Sequence, residues 1–380
     1  MKRAQGSRAV RALAALAIAA LAFGLRWRAL EALPIDYDET WYLEAAQELA
    51  AVLRSGELSG LLEANWRPEH PQLGKLVFAA ALVPASDPAP SPERRYVAGG
   101  RSRLPEAELV AARTASAVLG ALAAGLLAWI QPLAGLFLAI HTTTIKYTSL
   151  VMLEALPAFA SLAAVACWVH AKPEGRSGWR LASAACLGLA AAGKYMYAVV
   201  GIALLVDAWL DARSSRASLA ARARPLLLWG TGALAVFFAA SPYLWPDPLW
   251  RLRESLLFHA DFAASAGVAS LGFPFWQPLV WLGTSLPGDA PAAHAYALRL
   301  DPWIALLALV GLDRLWRRHR AFALWLGVAL VFLLLWTTKW PHYVLLLTAP
   351  LCLAAAEGGL RLAGFCVSGL RSMRAADRPS

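Results

Sequence analysis

Three carboxylates crowd into four residues near the start of the chain, in the sequence Asp36-Tyr37-Asp38-Glu39. Carboxylates this close repel one another, so the pKa of one of them can rise toward neutrality. A carboxyl group of that kind can remove the proton from an attacking hydroxyl, or it can bind a metal ion. Short acidic clusters are also common in the first turn of a helix, where they meet the positive end of the helix dipole. A catalytic group and a helix start are both open interpretations of this cluster.

Basic side chains recur further along the chain, at the edges of apolar segments. They are His70 and Lys75 in His-Pro-Gln-Leu-Gly-Lys, Lys194 after a glycine, and Lys339 and His342 in Lys-Trp-Pro-His-Tyr. Such cations can bind a phosphate group through charge-assisted hydrogen bonds. A lysine at a membrane interface can equally extend its ammonium toward water without binding a ligand. The residue types therefore permit a phosphate site without requiring one.

Glu154 and Lys194 each interrupt apolar sequence, where a charged side chain is costly. At the centre of a membrane helix such a charge costs on the order of 2.5–3.5 kcal/mol, so these residues usually pair, face a cavity or lie in an interfacial turn. We predict both in short turns on the same side of the membrane as Asp38. That side then gathers carboxylates and cations together. A sugar attached to a phosphate ester requires this combination, because cations stabilise the leaving phosphate while a carboxylate activates the attacking hydroxyl.

The composition indicates that membrane helices position these residues. Of 380 residues, 59% are apolar and 16% are charged, and the mean hydropathy is +0.51. Soluble domains carry about 25% charged residues, so a soluble multi-domain protein is excluded. The net charge of +10 does not indicate nucleic-acid binding, because the basic residues form short clusters between apolar runs, as cytoplasmic loops do.

Ten apolar segments are candidate transmembrane helices. They are residues 10–27, 109–129, 132–149, 152–170, 181–193, 195–210, 225–244, 299–315, 321–337 and 342–362. The basic clusters between them predict that both chain termini are cytoplasmic, with an uncleaved first helix and a basic cytoplasmic tail at 363–380. The large loops 31–108 and 245–298 then lie outside. Residues 41–53 have the apolar spacing of a helix lying on the membrane surface, and residues 248–262 look similar.

One apolar segment, residues 73–84, is short for a membrane crossing, so we predict an interfacial or half-buried helix there. This choice places Arg94, Arg95, Arg101 and Arg103 on the outer side, against the usual preference of arginine for cytoplasmic loops. A crossing at 73–84 would instead reverse the side of every later basic loop, unless two later spans were merged into one.

Several short motifs occur in an order that is shared with a known group of membrane enzymes. They are Asp38-Glu39, His70-Pro71-Gln72-Leu73-Gly74-Lys75-Leu76, Ala112-Arg113-Thr114-Ala115-Ser116-Ala117, Met152-Leu153-Glu154 and Gly193-Lys194-Tyr195, followed by Pro242–Pro248 and Lys339–Tyr343. The ordered set resembles the GT-C-type glycosyltransferases, in particular the protein O-mannosyltransferases and the bacterial aminoarabinose lipid A transferases. The chain departs from that pattern where Gln72 replaces a proline, where Glu154 replaces an aspartate, and where Ser149 replaces a cation before that acid.

The resemblance implies an all-α polytopic membrane protein, with a GT-C-like bundle of about ten (nine to twelve) transmembrane helices in a single domain over residues 1–362. It implies a glycosyltransferase that moves a sugar from a polyprenyl-phosphate donor to an acceptor hydroxyl with inversion. The composition, rich in alanine, arginine and leucine, indicates a bacterial source, so the outer face would be the periplasmic face of the inner membrane. Asp38 would be the base, with Glu39 and Glu154 as further catalytic carboxylates. The lipid phosphate would be bound by His70, Lys75, Arg113, Lys194, Lys339 and His342.

The expected partners are a polyprenyl-phosphate-linked sugar, a protein or lipid-glycan acceptor, and membrane lipids, with no nucleic acid. A divalent metal is possible and is not expected. Two alternatives stay open from the sequence: a transporter or flippase for a lipid-linked glycan, and a non-catalytic member of the same family. A transporter would need gating elements on both faces, whereas these acidic and basic landmarks cluster on one.

Overall fold

A computed structural model describes residues 2–85, 104–172, 177–213, 218–285 and 298–376, and all regular elements in these ranges are helices. The α-helices are α1 (Lys2–Ala32), α2 (Tyr37–Ser55), α3 (Gly60–Glu63), α4 (Gln72–Leu82), α5 (Glu106–Ile130), α6 (Pro132–Ile140), α7 (Thr142–Tyr147), α8 (Ala155–Ala171), α9 (Ser177–Gly193), α10 (Val199–Arg213), α11 (Leu219–Ala239), α12 (Pro248–Ala263), α13 (Ala266–Ser270), α14 (Gln277–Gly283), α15 (Asp301–Arg318), α16 (Arg320–Leu335) and α17 (Leu345–Ala376). Short 3-10 helices at Tyr195–Ala198, Pro242–Leu244 and Pro341–Val344 join some of them.

The predicted apolar segments all correspond to helices of the bundle. By length and composition, four helical segments of the described chain can cross a membrane: Arg8–Ala32, Glu106–Ile130, Tyr195–Arg213 and Pro341–Phe365. Shorter apolar helices include Ala155–Ala171, Ala223–Ala239 and Arg320–Leu335. The prediction of an all-α, multi-pass membrane protein is therefore confirmed. The segments 181–193 and 195–210 are two helices, separated by Lys194 in an extended conformation.

The predicted span 132–149 is broken in the middle, which the hydropathy did not reveal. His141 has an extended ψ of 116°, ends α6 and begins α7, with its Nδ1 accepting a hydrogen bond from the Thr144 backbone N–H. Asp301 accepts from the Thr142 backbone N–H at 2.9 Å. These two side chains accept from backbone N–H groups in the first turn of α7, which have no partner within the helix. The break lets α7 turn toward the site while α6 stays in the bundle.

Glycine allows the closest helix contacts in the bundle core. A Cβ atom added at Gly311 of α15 would lie 1.9 Å from the Ala354 backbone oxygen of α17, and one added at Gly358 would lie 2.0 Å from the Leu307 backbone oxygen. Small residues let membrane helices approach closely, because packing rather than the hydrophobic effect drives their association. The helix pair α15–α17 therefore depends on these two glycines.

The first large loop forms helices that pack onto the bundle. The apolar face of α2 buries Leu43, Ala46 and Leu49, and α2 packs against α4. The predicted amphipathic helix in this loop is confirmed. The helix α4 has 11 residues, which is about 16 Å at the usual helical rise and short of a bilayer crossing. The four arginines between 94 and 103 lie outside the described residues.

Candidate active site

A cavity of about 440 Å³ lies where the first large loop meets the turns between membrane helices. It is lined by the start of α2, the turn before α4, the end of α7, the Lys194 break, α12 and the 3-10 helix Pro341–Val344. Four of the predicted site residues line it, namely Asp38, His70, Lys194 and His342. Residues separated by 304 positions in the chain are thus brought to one chamber by the antiparallel packing of the bundle.

Asp38 presents a carboxylate to the cavity from the first turn of α2. The pKa of Asp38 is raised from 3.8 to about 6, chiefly because the carboxyl group is buried; Asp36 and Glu154 also raise this pKa, and the positive charges of Lys194 and Arg67 lower it. Among the described residues this carboxylate has no hydrogen-bond or ion-pair partner. A poorly hydrated, unpaired carboxylate with a pKa near neutrality has the properties of a general base.

Lys194 is the buried cation of the cavity, and it is 4% exposed. Its ammonium forms an ion pair with Glu154 and lies 5.1 Å from the ring centroid of Tyr343. His342 Nε2 lies 3.7 Å from the same Glu154 carboxylate. Glu154 stands immediately before α8, and Lys194 stands in the gap after α9, where its backbone is extended. Glu154 itself lies behind the cavity wall, where it positions the lysine.

The adjacent residues Asp38 and Glu39 point in different directions, because consecutive side chains on a helix are about 100° apart. Asp38 faces the cavity and Glu39 faces the protein core. Glu39 is fully buried and accepts from Arg113 Nε at 2.9 Å and Nη2 at 2.6 Å. It also accepts from the backbone N–H groups of Val151 at 2.7 Å and Asp36 at 2.9 Å. Both carboxylate oxygens are therefore satisfied by protein donors, so the structure does not bring Glu39 to the cavity as a catalytic carboxylate.

Arg113 is likewise turned away from the cavity. In addition to Glu39, its guanidinium donates to the backbone oxygens of Leu30 at 2.6 Å, Leu33 at 3.0 Å and Pro34 at 3.1 Å. These oxygens lie at the end of α1, where helical carbonyls lack partners. Arg113 thus joins α5 to the α1–α2 corner, and the predicted contact with a lipid phosphate is not available to it in this structure.

Lys75 and Lys339 also bond to the protein rather than facing the cavity. The Lys75 ammonium is fully buried and donates to Asn65 Oδ1 and to the backbone oxygens of Trp66, Arg67 and His70, at 2.5–3.0 Å. It closes the loop 65–70. Lys339 donates to the backbone oxygens of Leu333, Leu334 and Trp336 at the end of α16. Both lysines therefore stabilise turns that carry cavity residues. The sequence motifs alone could not distinguish this structural role from phosphate binding.

His70 is placed at the cavity by the loop that Lys75 closes. Its Nε2 lies 3.1 Å from Tyr42 Oη, and its ring centroid lies 5.3 Å from that of His259 on α12. Burial, together with the nearby Lys194, lowers the pKa of His70 well below 6.5. The imidazole is therefore neutral at pH 7, so it can offer a hydrogen bond to a phosphate oxygen but not a full charge.

Three further charged residues line the cavity, namely Asp36 from the acidic cluster, and Arg67 and Glu69, which the motifs did not assign to the site. Arg67 lines the cavity with its guanidinium 4.6 Å from the Trp41 ring centroid and 3.2 Å from Glu69. Arg67 has a positive φ of 62°, which is unusual outside glycine. Asp36 forms an ion pair of 3.1 Å with Lys146 of α7. Arg67 lies in a loop, outside the helical spacing and outside the motif that begins at His70. Only the folded structure therefore shows that Arg67 reaches the cavity.

In the described residues, no group of three or more histidine, cysteine, aspartate or glutamate side chains is arranged to hold a metal ion.

Comparisons with known proteins agree with this fold. Residues 63–239 match the family model of the dolichyl-phosphate-mannose-protein mannosyltransferases. The structure is similar to the crystal structure of ArnT from Cupriavidus metallidurans bound to undecaprenyl phosphate, with a TM-score of 0.62 and 16% identity over 93% of this chain. It is also similar to the archaeal oligosaccharyltransferase AglB from Archaeoglobus fulgidus in complex with an inhibitory peptide and a dolichol-phosphate, with a TM-score of 0.52 and 11% identity over 96% of the chain. No curated protein sequence matches the chain.

The fold and the site define a multi-pass membrane protein with the GT-C architecture. The segment that matches the mannosyltransferase family model contains His70, Glu154 and Lys194, and it begins after Asp38. The resemblance predicted from the motifs is therefore confirmed. The chain spans 63% of the ArnT chain and 52% of the AglB chain.

Proposed function

We propose that the protein is an inverting glycosyltransferase that moves a sugar from a polyprenyl-phosphate donor to an acceptor hydroxyl. The observation that carries this proposal is the shared cavity of Asp38 and Lys194, in which a carboxylate without a partner faces a buried ammonium. The similar ArnT and AglB structures hold an undecaprenyl phosphate and a dolichol-phosphate respectively, which supports a polyprenyl phosphate as the donor's lipid.

The reaction is a single displacement at the anomeric carbon. Asp38 removes the proton from the acceptor hydroxyl as that oxygen bonds to the anomeric carbon from the face opposite the phosphate. The bond between this carbon and the phosphate oxygen breaks, and the electron pair leaves with the polyprenyl phosphate. The proton ends on the Asp38 carboxyl group. Because attack and departure occur on opposite faces, the configuration at the anomeric carbon inverts.

Lys194 and Arg67 stabilise the negative charge that develops on the leaving phosphate. Both are cavity residues, and Lys194 lies in a water-poor setting where its charge acts strongly. His70 and His342, which both line the cavity, supply hydrogen bonds to the same phosphate oxygens. Glu154 keeps Lys194 oriented through their ion pair. Glu39, Arg113, Lys75 and Lys339 serve as positioning residues that hold the corners carrying these groups.

In this proposal residues 1–362 form one domain in a bacterial plasma membrane. The active site opens on the periplasmic side of that membrane. Basic clusters lie at the opposite end of the bundle, at Lys172, Arg180, Arg213, Arg224, Arg314, Arg317, Arg318 and Arg361. Such clusters mark the cytoplasmic side of membrane proteins, which supports cytoplasmic termini. The acceptor is a hydroxyl of a protein or of a lipid-linked glycan.

The test is transfer by the purified protein in lipid nanodiscs, given a panel of radiolabelled polyprenyl-phosphate sugars and read as release of free polyprenyl phosphate. We expect turnover by the wild type and a loss of roughly 10²–10⁴-fold in Asp38→Asn, the range for a general base. Glu44→Gln, on the exposed side of the same helix, is the matched control and should retain turnover. Equal turnover by Asp38→Asn would overturn the assignment. Donor binding without turnover would favour a transporter or a non-catalytic relative.

A further inference from the structure

A second cavity, of about 810 Å³, opens at the end of the bundle opposite the active site. It lies among the first turns of α1, the ends of α5, α8 and α15, and the starts of α9 and α16. Its lining includes Arg8, Arg11, Trp129, Trp179 and Arg318. The cavity shares no lining residue with the active site, so a role for it is independent of the proposed reaction.

The charge of this cavity is positive and largely uncompensated. Among the described residues no carboxylate lines it, and Arg8 and Arg11 have no hydrogen-bond or ion-pair partner there. Arg318 and the adjacent His319 lie 3.4 and 3.6 Å from Glu357, which is buried behind the wall. The two arginines of α1 are therefore free to bind an anion. Guanidinium groups bind phosphate well, because their planar donors match two of its oxygens.

The rest of the wall is apolar and aromatic. Trp129 and Trp179 are 40% and 47% exposed, and Val169 and Phe322 also line the cavity. Tryptophan is enriched where membrane helices meet the lipid headgroups. A site with free arginines beside exposed tryptophans offers contacts to a phosphate and to the hydrocarbon attached to it, which a free phosphate ion would not use.

We propose that this cavity binds an anionic phospholipid from the membrane leaflet at this end of the bundle. The lipid phosphate lies between Arg8 and Arg11 of α1 and Arg318 of α15, and the upper acyl chain lies against Trp129 and Trp179. The bound lipid would fasten the first turns of α1 to the rest of the bundle. Negatively charged leaflets attract basic residues at membrane helix ends in the same way.

The test measures phosphatidylglycerol binding by native mass spectrometry, with the full-length protein in phosphatidylcholine nanodiscs that contain increasing phosphatidylglycerol. We expect the double variant Arg8→Gln/Arg11→Gln to bind this lipid more than tenfold more weakly, because it removes two guanidinium groups that bond the lipid phosphate directly, and one such charge-assisted hydrogen bond contributes roughly tenfold in affinity. The matched control is Arg213→Gln/Arg224→Gln, which removes the same charge from exposed residues at the same end but outside the cavity. Its affinity should stay within about twofold of the wild type.

A second variant, Trp179→Ala, removes hydrocarbon contact without changing the charge and should also weaken phosphatidylglycerol binding. In a further arm, millimolar inorganic phosphate should leave the bound lipid in place. Equal loss in both double variants would show general surface attraction and overturn the proposal. Displacement of the lipid by inorganic phosphate, or unchanged binding in Trp179→Ala, would also overturn it, because the occupant would then not be a phospholipid with its acyl chain in this cavity.

Discussion

The Lys194 ammonium and the Glu154 carboxylate form an ion pair that is almost closed to water, with side chains 5% and 1% exposed. The two residues are 40 positions apart and come from the ends of neighbouring helices. Of the two side chains only Lys194 lines the cavity, so in the proposed reaction the Glu154 carboxylate would act through the lysine.

Removing one member of this pair should destabilise the protein more than removing both. Glu154→Gln leaves an unpaired buried ammonium, for which the usual cost is about 3–5 kcal/mol. The double variant Lys194→Met/Glu154→Gln has no charge left to compensate, so its apparent Tm in nanodiscs should lie above that of Glu154→Gln. A double variant that unfolds at the lower temperature would contradict a paired role. Transfer activity should be lost in both, since Glu154→Gln releases the lysine from its position.

The activity should depend on pH through Asp38. Because burial raises the pKa of Asp38 to about 6, the base is protonated and inactive below that pH, and kcat/KM should rise as the pH increases through about 6. Asp36→Asn removes a neighbouring negative charge that raises the pKa of Asp38, so the acidic limb should move to lower pH. A pH–rate profile of both proteins checks this, and coincident limbs would argue against Asp38 as the titrating group.

The ionisation of Asp38 should also affect the stability of the protein. Ionised Asp38 is needed for activity, but the same buried charge lowers the stability of the folded state. The pKa of Asp38 is higher in the folded state than the ordinary value of 3.8, so the folded state binds more protons between about pH 4 and 6. Its burial therefore becomes unfavourable as the pH rises through about 6. We expect Asp38→Asn to raise the apparent Tm at pH 7.5 and to change it little at pH 4. Equal shifts at both pH values would exclude a buried carboxylate as the cause.

Arg113 should prove to be a structural residue rather than a phosphate ligand. Arg113→Lys retains the charge but cannot reach Glu39 and the carbonyls at the end of α1 together. We expect a lower apparent Tm, with the donor KM of the folded fraction within about twofold of the wild type. Thermal unfolding and donor titration measure the two effects separately. A raised donor KM with an unchanged apparent Tm would instead support the predicted role of Arg113 as a ligand of the lipid phosphate.

The contact between α15 and α17 should not tolerate a side chain. In Gly311→Ala the new methyl group would meet the Ala354 backbone oxygen at 1.9 Å, and backbone atoms cannot rotate out of the way as a flexible side chain can. We expect a large loss of apparent Tm or failure to assemble. The control is Gly327→Ala on α16, where nothing lies within 4 Å and where alanine favours a helix by up to about 1 kcal/mol. A neutral Gly311→Ala would disprove the close approach.

Some of the site could be predicted because its residues violate the apolar pattern around them. Asp38, His70, Lys194 and His342 all interrupt or border apolar runs, and such charges in membrane proteins face cavities or partners. The same reasoning selected Glu39, Arg113, Lys75 and Lys339, whose side chains satisfy other buried groups. A charge in an apolar segment shows that a partner exists, but it does not show whether that partner is a ligand or the protein itself.

The sequence by itself determined the class of structure. Apolar runs long enough to span a bilayer leave helices as the available fold, since every backbone polar group in lipid needs an internal partner. Only the tertiary structure decided which charges share a cavity: it turned Asp38 inward and Glu39 away, broke the span at His141 and brought Arg67 to the wall. These outcomes depend on contacts between residues far apart in the chain. Spacing along a single helix cannot specify such contacts, because they are set by how neighbouring helices pack.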